Sequence, residues 1–281
     1  MTPRSHRADR IATIISALLA SLLLLFLAAP TAGLVGAAGA TGLGRLGTDA
    51  ELRDALALTV VTATTATLLG IVGGTPIAYL LARRAFRGRA LLSALLDLPL
   101  LIPHPVAGIA LLLVLGRGSP FGQALLDAGV RVAGSTVGIV CAMLFVSAPL
   151  YVSGAREAFA RVDARYEAVA RTLGDPAWRA FRRVTLPLAG RGLLAASVVM
   201  WARAVSEFGA IVILTYNPKV ASVLSYDRFS SFGLAEALPV AAVLVILALV
   251  PLAVLRALRV EGSGRREAGS ADVARSPLGI P

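Results

Sequence analysis

The chain has 281 residues, 57% of them hydrophobic and only 15% charged, with a mean hydropathy of +0.80. Soluble domains carry roughly 25% charged residues, so this composition excludes a water-soluble enzyme, a disordered tail and a collagen-like fibre. The net charge is +11, and of the 27 cationic side chains all but Lys219 are arginine. Such a balance points to nucleic acid or to one face of a membrane, and the position of the arginines decides between them.

In chain order, long uncharged runs mark six crossings, each near the roughly 20 apolar residues a bilayer core requires. No charge occurs from Ile11 to Gly44, which predicts a first helix over 11–33. The second run goes from Ala55 to Ala82, and the third covers 92–115 with Asp97 near its start. The fourth extends from Val132 to Ala155, the fifth occupies 189–214 and contains Arg203 and Glu207, and the sixth runs from Ala237 to Leu255. No alternating ten-residue pattern suggests a β-barrel. The segment Ala28-Ala29-Pro30-Thr31-Ala32 has the small residues of a signal-peptide cleavage site. The uncharged run is longer than a signal core, however, and a retained helix makes the span count even.

The arginines fall on one side. Three precede the first span, four lie between the second and third, eight between the fourth and fifth, and five after the sixth; the opposite loops hold six cations and Arg203 lies within a span. The positive-inside rule then places both termini in the cytoplasm. The charge is topological, made for a lipid bilayer, and no nucleic-acid partner is needed to explain it. Residues 1–10 form a cytoplasmic N-terminus, 11–259 the six-helix domain, and 260–281, rich in Gly, Ser and charge, a disordered tail. The lone Cys141 excludes an intrachain disulfide and a cysteine zinc site, and His6 and His104 are too few for a histidine metal cluster.

The basic loop 156–191 is long for a connection between spans and is expected to carry structure of its own. Tyr166, Val169, Ala170 and Leu173 recur at helical spacing, while Asp163, Arg165, Glu167 and Arg171 fall elsewhere around the helix. Gly174 stands where a helix wants a left-handed terminator. Asp175 then suits an N-cap and Pro176 the first position of a second helix, which ends at Leu186-Pro187. The prediction is helix, tight turn, helix.

From Gly174, nine residues lead to Val184-Thr185-Leu186-Pro187. This spacing resembles the loop signature of the membrane subunits of binding-protein-dependent ABC importers: E-A-A, three residues, G, nine residues, then I-x-L-P. Ala168 stands at the usual glutamate position and Glu167 one residue earlier. The resemblance implies an all-α integral membrane protein of six transmembrane helices, MetI-like, with both termini cytoplasmic. It further implies that Glu167, Ala168, Val169, Ala170, Arg171, Gly174, Asp175, Leu186 and Pro187 belong to a coupling loop docked on a cytoplasmic ATPase dimer. The remaining implied parts are a second copy of the chain, an extracellular oxyanion-binding protein, and ATP with Mg on the partner ATPase. No cofactor is expected on this chain, and the chain is not itself expected to be an enzyme.

Two further segments narrow the resemblance. LLDLPLLIPHPVAGIALLLVLG (95–116) and SEFGAIVILTYNPKVASVLSYDRFSSFGL (206–234) are similar to molybdate and tungstate permeases, and sulfate and thiosulfate permeases share much of the pattern. Arg203 and Glu207, four apart on one helix face, read either as a buried ion pair or, with Phe208 and Gly209, as part of a pathway or gate. Lys219 and Arg228 in the outer loop read either as ordinary loop charge or as a lure for an anion or an acidic docking face. Asp97, Arg203 and Glu207 also leave open an ion-coupled carrier. A membrane enzyme lacks its nucleophile elbow or His/Glu cluster here.

Overall fold

A computed structural model describes the backbone of residues 3–275, with side chains described for residue 10 and for 12–37 and 42–256. The described residues are helices joined by turns. In order these are α1 (Pro3–Arg45), α2 (Ala50–Arg83), α3 (Arg89–Leu101), α4 (His104–Leu115), α5 (Pro120–Asp127), α6 (Thr136–Ala160), α7 (Ala164–Thr172) and α8 (Ala177–Ala180). A π-helical turn (Phe181–Thr185), α9 (Leu186–Val205), α10 (Gly209–Leu214), α11 (Ala221–Phe232) and α12 (Leu234–Arg275) complete the chain. Five stretches are long and apolar enough to cross a bilayer: Ala12–Ala37, Ala50–Arg83, Thr136–Ala160, Ala177–Val205 and Leu234–Arg256. The bent pair α3–α4 makes a sixth if it counts as one span.

The third span is broken, as Pro99, Pro103 and Pro105 lead one to expect, and the fifth differs from the continuous helix expected. At Ile102-Pro103 the chain bends by 115° between α3 and α4. Ile102 is extended (φ −82°, ψ 142°), as a residue before proline must be, and Pro103 caps α4 with a second proline, Pro105, in its first turn. The fifth span stops at Val205 and restarts at Gly209. No proline causes this second break. The Glu207 carboxylate accepts the Ala210 N–H at 2.8 Å and so starts a new helix within an apolar run. The Gly/Ser-rich segment read as a disordered tail begins inside α12, which continues to Arg275; residues 276–281 lie outside the described residues.

The chain divides into two compact units, Met1–Arg53 with Ser225–Leu247 and Asp54–Leu224 with Ala248–Pro281. In the first, the Arg228 guanidinium bonds both carboxylate oxygens of Asp49 (2.6 and 3.0 Å) and one of Glu51 (3.1 Å), and Arg45 pairs with Glu236 at 2.6 Å. Arg228, offered by the sequence as a possible attractor of an outside anion, is thus consumed by its own chain. Asp49 also accepts the Leu52 N–H at 3.0 Å, so it caps α2.

In the second unit the centre is where α6 packs on α9, lined by Tyr151, Val152, Ala155, Phe159, Leu193 and Met200 with Ala78 and Leu81 of α2. Small residues set the spacing. A Cβ on Gly154 would lie 2.9 Å from the Ala196 Cβ, and one on Gly192 would lie 2.5 Å from the Ala158 Cβ. In a bilayer, where lipid tails are as apolar as leucine, such close backbone approach supplies the packing energy. This core fixes the ends of α6 and α9, and between them hangs the loop that carries the candidate site.

Candidate functional site

The loop between α6 and α9 is shorter than its predicted bounds of 156–191, because α6 continues to Ala160 and α9 begins at Leu186. Asp163 caps α7 by accepting the Arg165 N–H at 2.9 Å. The helix ends as the sequence demands: Gly174 sits at φ +98°, the Asp175 N–H bonds the Ala170 carbonyl, and the Gly174 N–H bonds the Arg171 carbonyl, both at 3.1 Å. This reciprocal pair is a Schellman terminus, and a Cβ at that φ would be strained. The expected role of Asp175 as N-cap of the next helix is corrected. Pro176 holds that position, its carbonyl accepting from Arg179 and Ala180, while the Asp175 carboxylate lies 3.4 Å from Arg179 and 3.7 Å from Arg183.

The apolar face of α7 is turned outward. Tyr166, Val169 and Leu173 are exposed, Leu173 by 83%, and Trp178 on α8 by 68%. No residue of α7 is buried. Ala168 and Arg171 line a shallow hollow with Thr172, Asp175, Pro176 and Ala177. Attachment comes through Glu167, about 100° around the helix from Tyr166. The Glu167 carboxylate accepts the Tyr79 hydroxyl of α2 at 2.5 Å and the Thr185 hydroxyl of the π turn at 2.9 Å. The Tyr79 ring meets Phe159 and Phe181 edge-on at 5.6 and 4.7 Å, and Trp178 stacks on Phe181 at 5.6 Å. Leu186 is half-buried and the exposed Pro187 occupies the first turn of α9.

A second constellation forms where the two helix breaks meet. Glu207 is fully buried, and its Oε2 lies 2.6 Å from Arg203 Nη2 and 3.5 Å from His104 Nδ1. Arg203 Nη2 also lies 2.9 and 2.8 Å from the two ring nitrogens of His104. Gly209 lets α10 close on α4, since a Cβ there would stand 2.8 Å from the His104 Cβ. Half-buried Phe208 and buried Gly209 border an open cavity of about 710 Å³ with Ile102, His104, Arg203 and Ser206. The i, i+4 spacing identified the Arg203–Glu207 pair. The partnership of His104, and the hydroxyls of Tyr79 and Thr185, have no local sequence signal because each lies on another element. Among the described residues no group of three His, Cys, Asp or Glu is placed to hold a metal.

Apolar spans broken around a buried charge cluster, with a helix pair held outside them by hydrogen bonds, make up a multi-pass membrane transport subunit. Residues 74–260 match the family of binding-protein-dependent transport system inner membrane components, and the chain belongs to that family. It is 44% identical over 178 residues to the molybdate/tungstate transport system permease protein WtpB of Thermococcus kodakarensis, covering 63% of this chain and 67% of the relative. To the molybdenum transport system permease protein ModB of Escherichia coli (strain K12) it is 41% identical over 140 residues, half of this chain and 61% of that one. The matches thus span about two-thirds or less of each relative. A bacterial ABC transporter involved in the import of the acidic polysaccharide alginate shares the fold, with a TM-score of 0.68 at 17% identity over 94% of this chain and 99% of that one.

Proposed function

We propose that this chain is the permease subunit of an importer for molybdate or tungstate. Two copies form an alternating-access pathway, an external binding protein delivers the oxyanion, and a cytoplasmic ATPase dimer, which binds ATP and Mg, docks on α7 and α8. The names of its relatives support the substrate class. The observation that carries the coupling role is the outward apolar ridge of Tyr166, Val169, Leu173 and Trp178. An isolated amphipathic helix turns such a face inward; one kept in water by a hydrogen-bonded anchor elsewhere on the helix is built to be covered by a partner. The exposed arginines Arg165, Arg171 and Arg182 of the same loop suit an acidic groove.

Labelled tungstate uptake in cells with and without the chain, its ATPase and binding protein present in both, tests this reading. Chain-dependent uptake that yields to molybdate and not to sulfate is expected. Competition by sulfate would move the assignment to a sulfate or thiosulfate permease. Uptake that persists with an ATPase unable to hydrolyse ATP would move it to an ion-coupled carrier.

A further inference from the structure

We propose that Glu167 is a positioning residue that transmits ATPase motion to the spans and makes no contact with the ATPase itself; the inference rests on the docking role of α7 given above. Three observations carry it. First, α7 buries no residue of its own, so apolar packing does not fix it. Second, among the described residues the side-chain hydrogen bonds from α7 to the neighbouring spans are the two made by Glu167, to Tyr79 of α2 and to Thr185 at the foot of α9. The carboxylate is here engaged by two hydroxyls, one on each oxygen, at 2.5 and 2.9 Å. Its two oxygens each meet a hydroxyl of the spans, about 120° around the helix from Leu173.

Third, each anchor continues into the packed centre of the protein. Tyr79 lies next to Ala78 and one turn before Arg83 on α2, and its ring touches Phe159 of α6 and Phe181. Thr185 is fully buried and leads directly into Leu186 and Ala189 of α9. A displacement of α7 therefore reaches α2 and α9 together, through one carboxylate, and α6 through the Tyr79 ring. A rigid hydrogen-bonded link between packed elements is the physical means by which two arrangements of a bundle are biased from outside.

The test uses the complete importer in proteoliposomes, with ATPase and binding protein, and reads two quantities: affinity of the ATPase for the permease, and tungstate moved per ATP hydrolysed. Glu167→Gln weakens both bonds, whereas Tyr79→Phe with Thr185→Val removes the donors and leaves the carboxylate. Either is expected to keep ATPase affinity within about twofold of wild type while lowering tungstate per ATP about tenfold, the scale of one charge-assisted bond. Leu173→Asp, on the ridge, is expected to abolish ATPase association. Loss of association in Glu167→Gln comparable to that in Leu173→Asp would make Glu167 a contact and overturn the proposal, as would unchanged tungstate per ATP in the double variant. Intact association in Leu173→Asp would instead overturn the docking role of α7, on which the proposal stands.

Discussion

The Arg203–Glu207 pair allows a prediction with a definite sign. Arg203→Met keeps the apolar stem and removes the charge, leaving the wholly buried Glu207 carboxylate with the Ala210 N–H at 2.8 Å and His104 at 3.5 Å. Stranding one member of a buried pair costs about 3–5 kcal/mol. Adding Glu207→Gln removes the stranded charge, and the amide oxygen retains the cap on α10. The double variant is then expected to lose only about 1 kcal/mol, the scale of one neutral hydrogen bond. For a chain of this size roughly 1 kcal/mol corresponds to about 2–4 °C in Tm, so the double variant should melt several degrees above Arg203→Met. Thermal unfolding of the wild type and the two variants in detergent measures this. If Arg203→Met/Glu207→Gln melts at or below Arg203→Met, the two side chains are not energetically coupled and the cluster is not what holds the two helix breaks together.

The ion cluster around Arg228 predicts a pH dependence: its guanidinium holds the Asp49 carboxyl below the usual carboxylate range, chiefly through their hydrogen bond. A lowered folded-state pKa contributes stability above the ordinary value of about 3.9, and that contribution is lost as pH falls through the lowered value; Asp49→Asn should therefore lose less stability than wild type between about pH 6 and about pH 3, and equal losses in a melting series would count against the pair. Packing of α6 on α9 predicts that Gly192→Val, whose Cβ meets Ala158 at 2.5 Å, costs about 1–3 kcal/mol by overpacking. Gly190→Ala, two residues earlier in open space, is expected to be neutral or to stabilise by about 0.5–1 kcal/mol, and equal Tm values for the two variants would refute the close approach.

The sequence made visible whatever depends on neighbours along the chain. Uncharged runs marked where spans lie, and Gly174 marked the end of α7 because only a residue without Cβ tolerates φ +98°. Pro103 gave a reason for the break in the third span, though not its 115° angle, which depends on what α4 packs against. The break at Glu207 was hidden because Ser206 and Gly209 are weak turn signals inside an apolar run; its cause is a carboxylate folding back on Ala210 beside Arg203 and a histidine from another helix. Glu167 was harder still. Its offset by one residue from the family signature gives no hint of its partners, because Tyr79 and Thr185 lie 88 and 18 residues away along the chain. One residue is about 100° of helix, so Glu167 meets Tyr79 and Thr185 while Ala168, at the expected glutamate position, is exposed; that rotation is why Glu167 is proposed to have a positioning role and no contact with the ATPase.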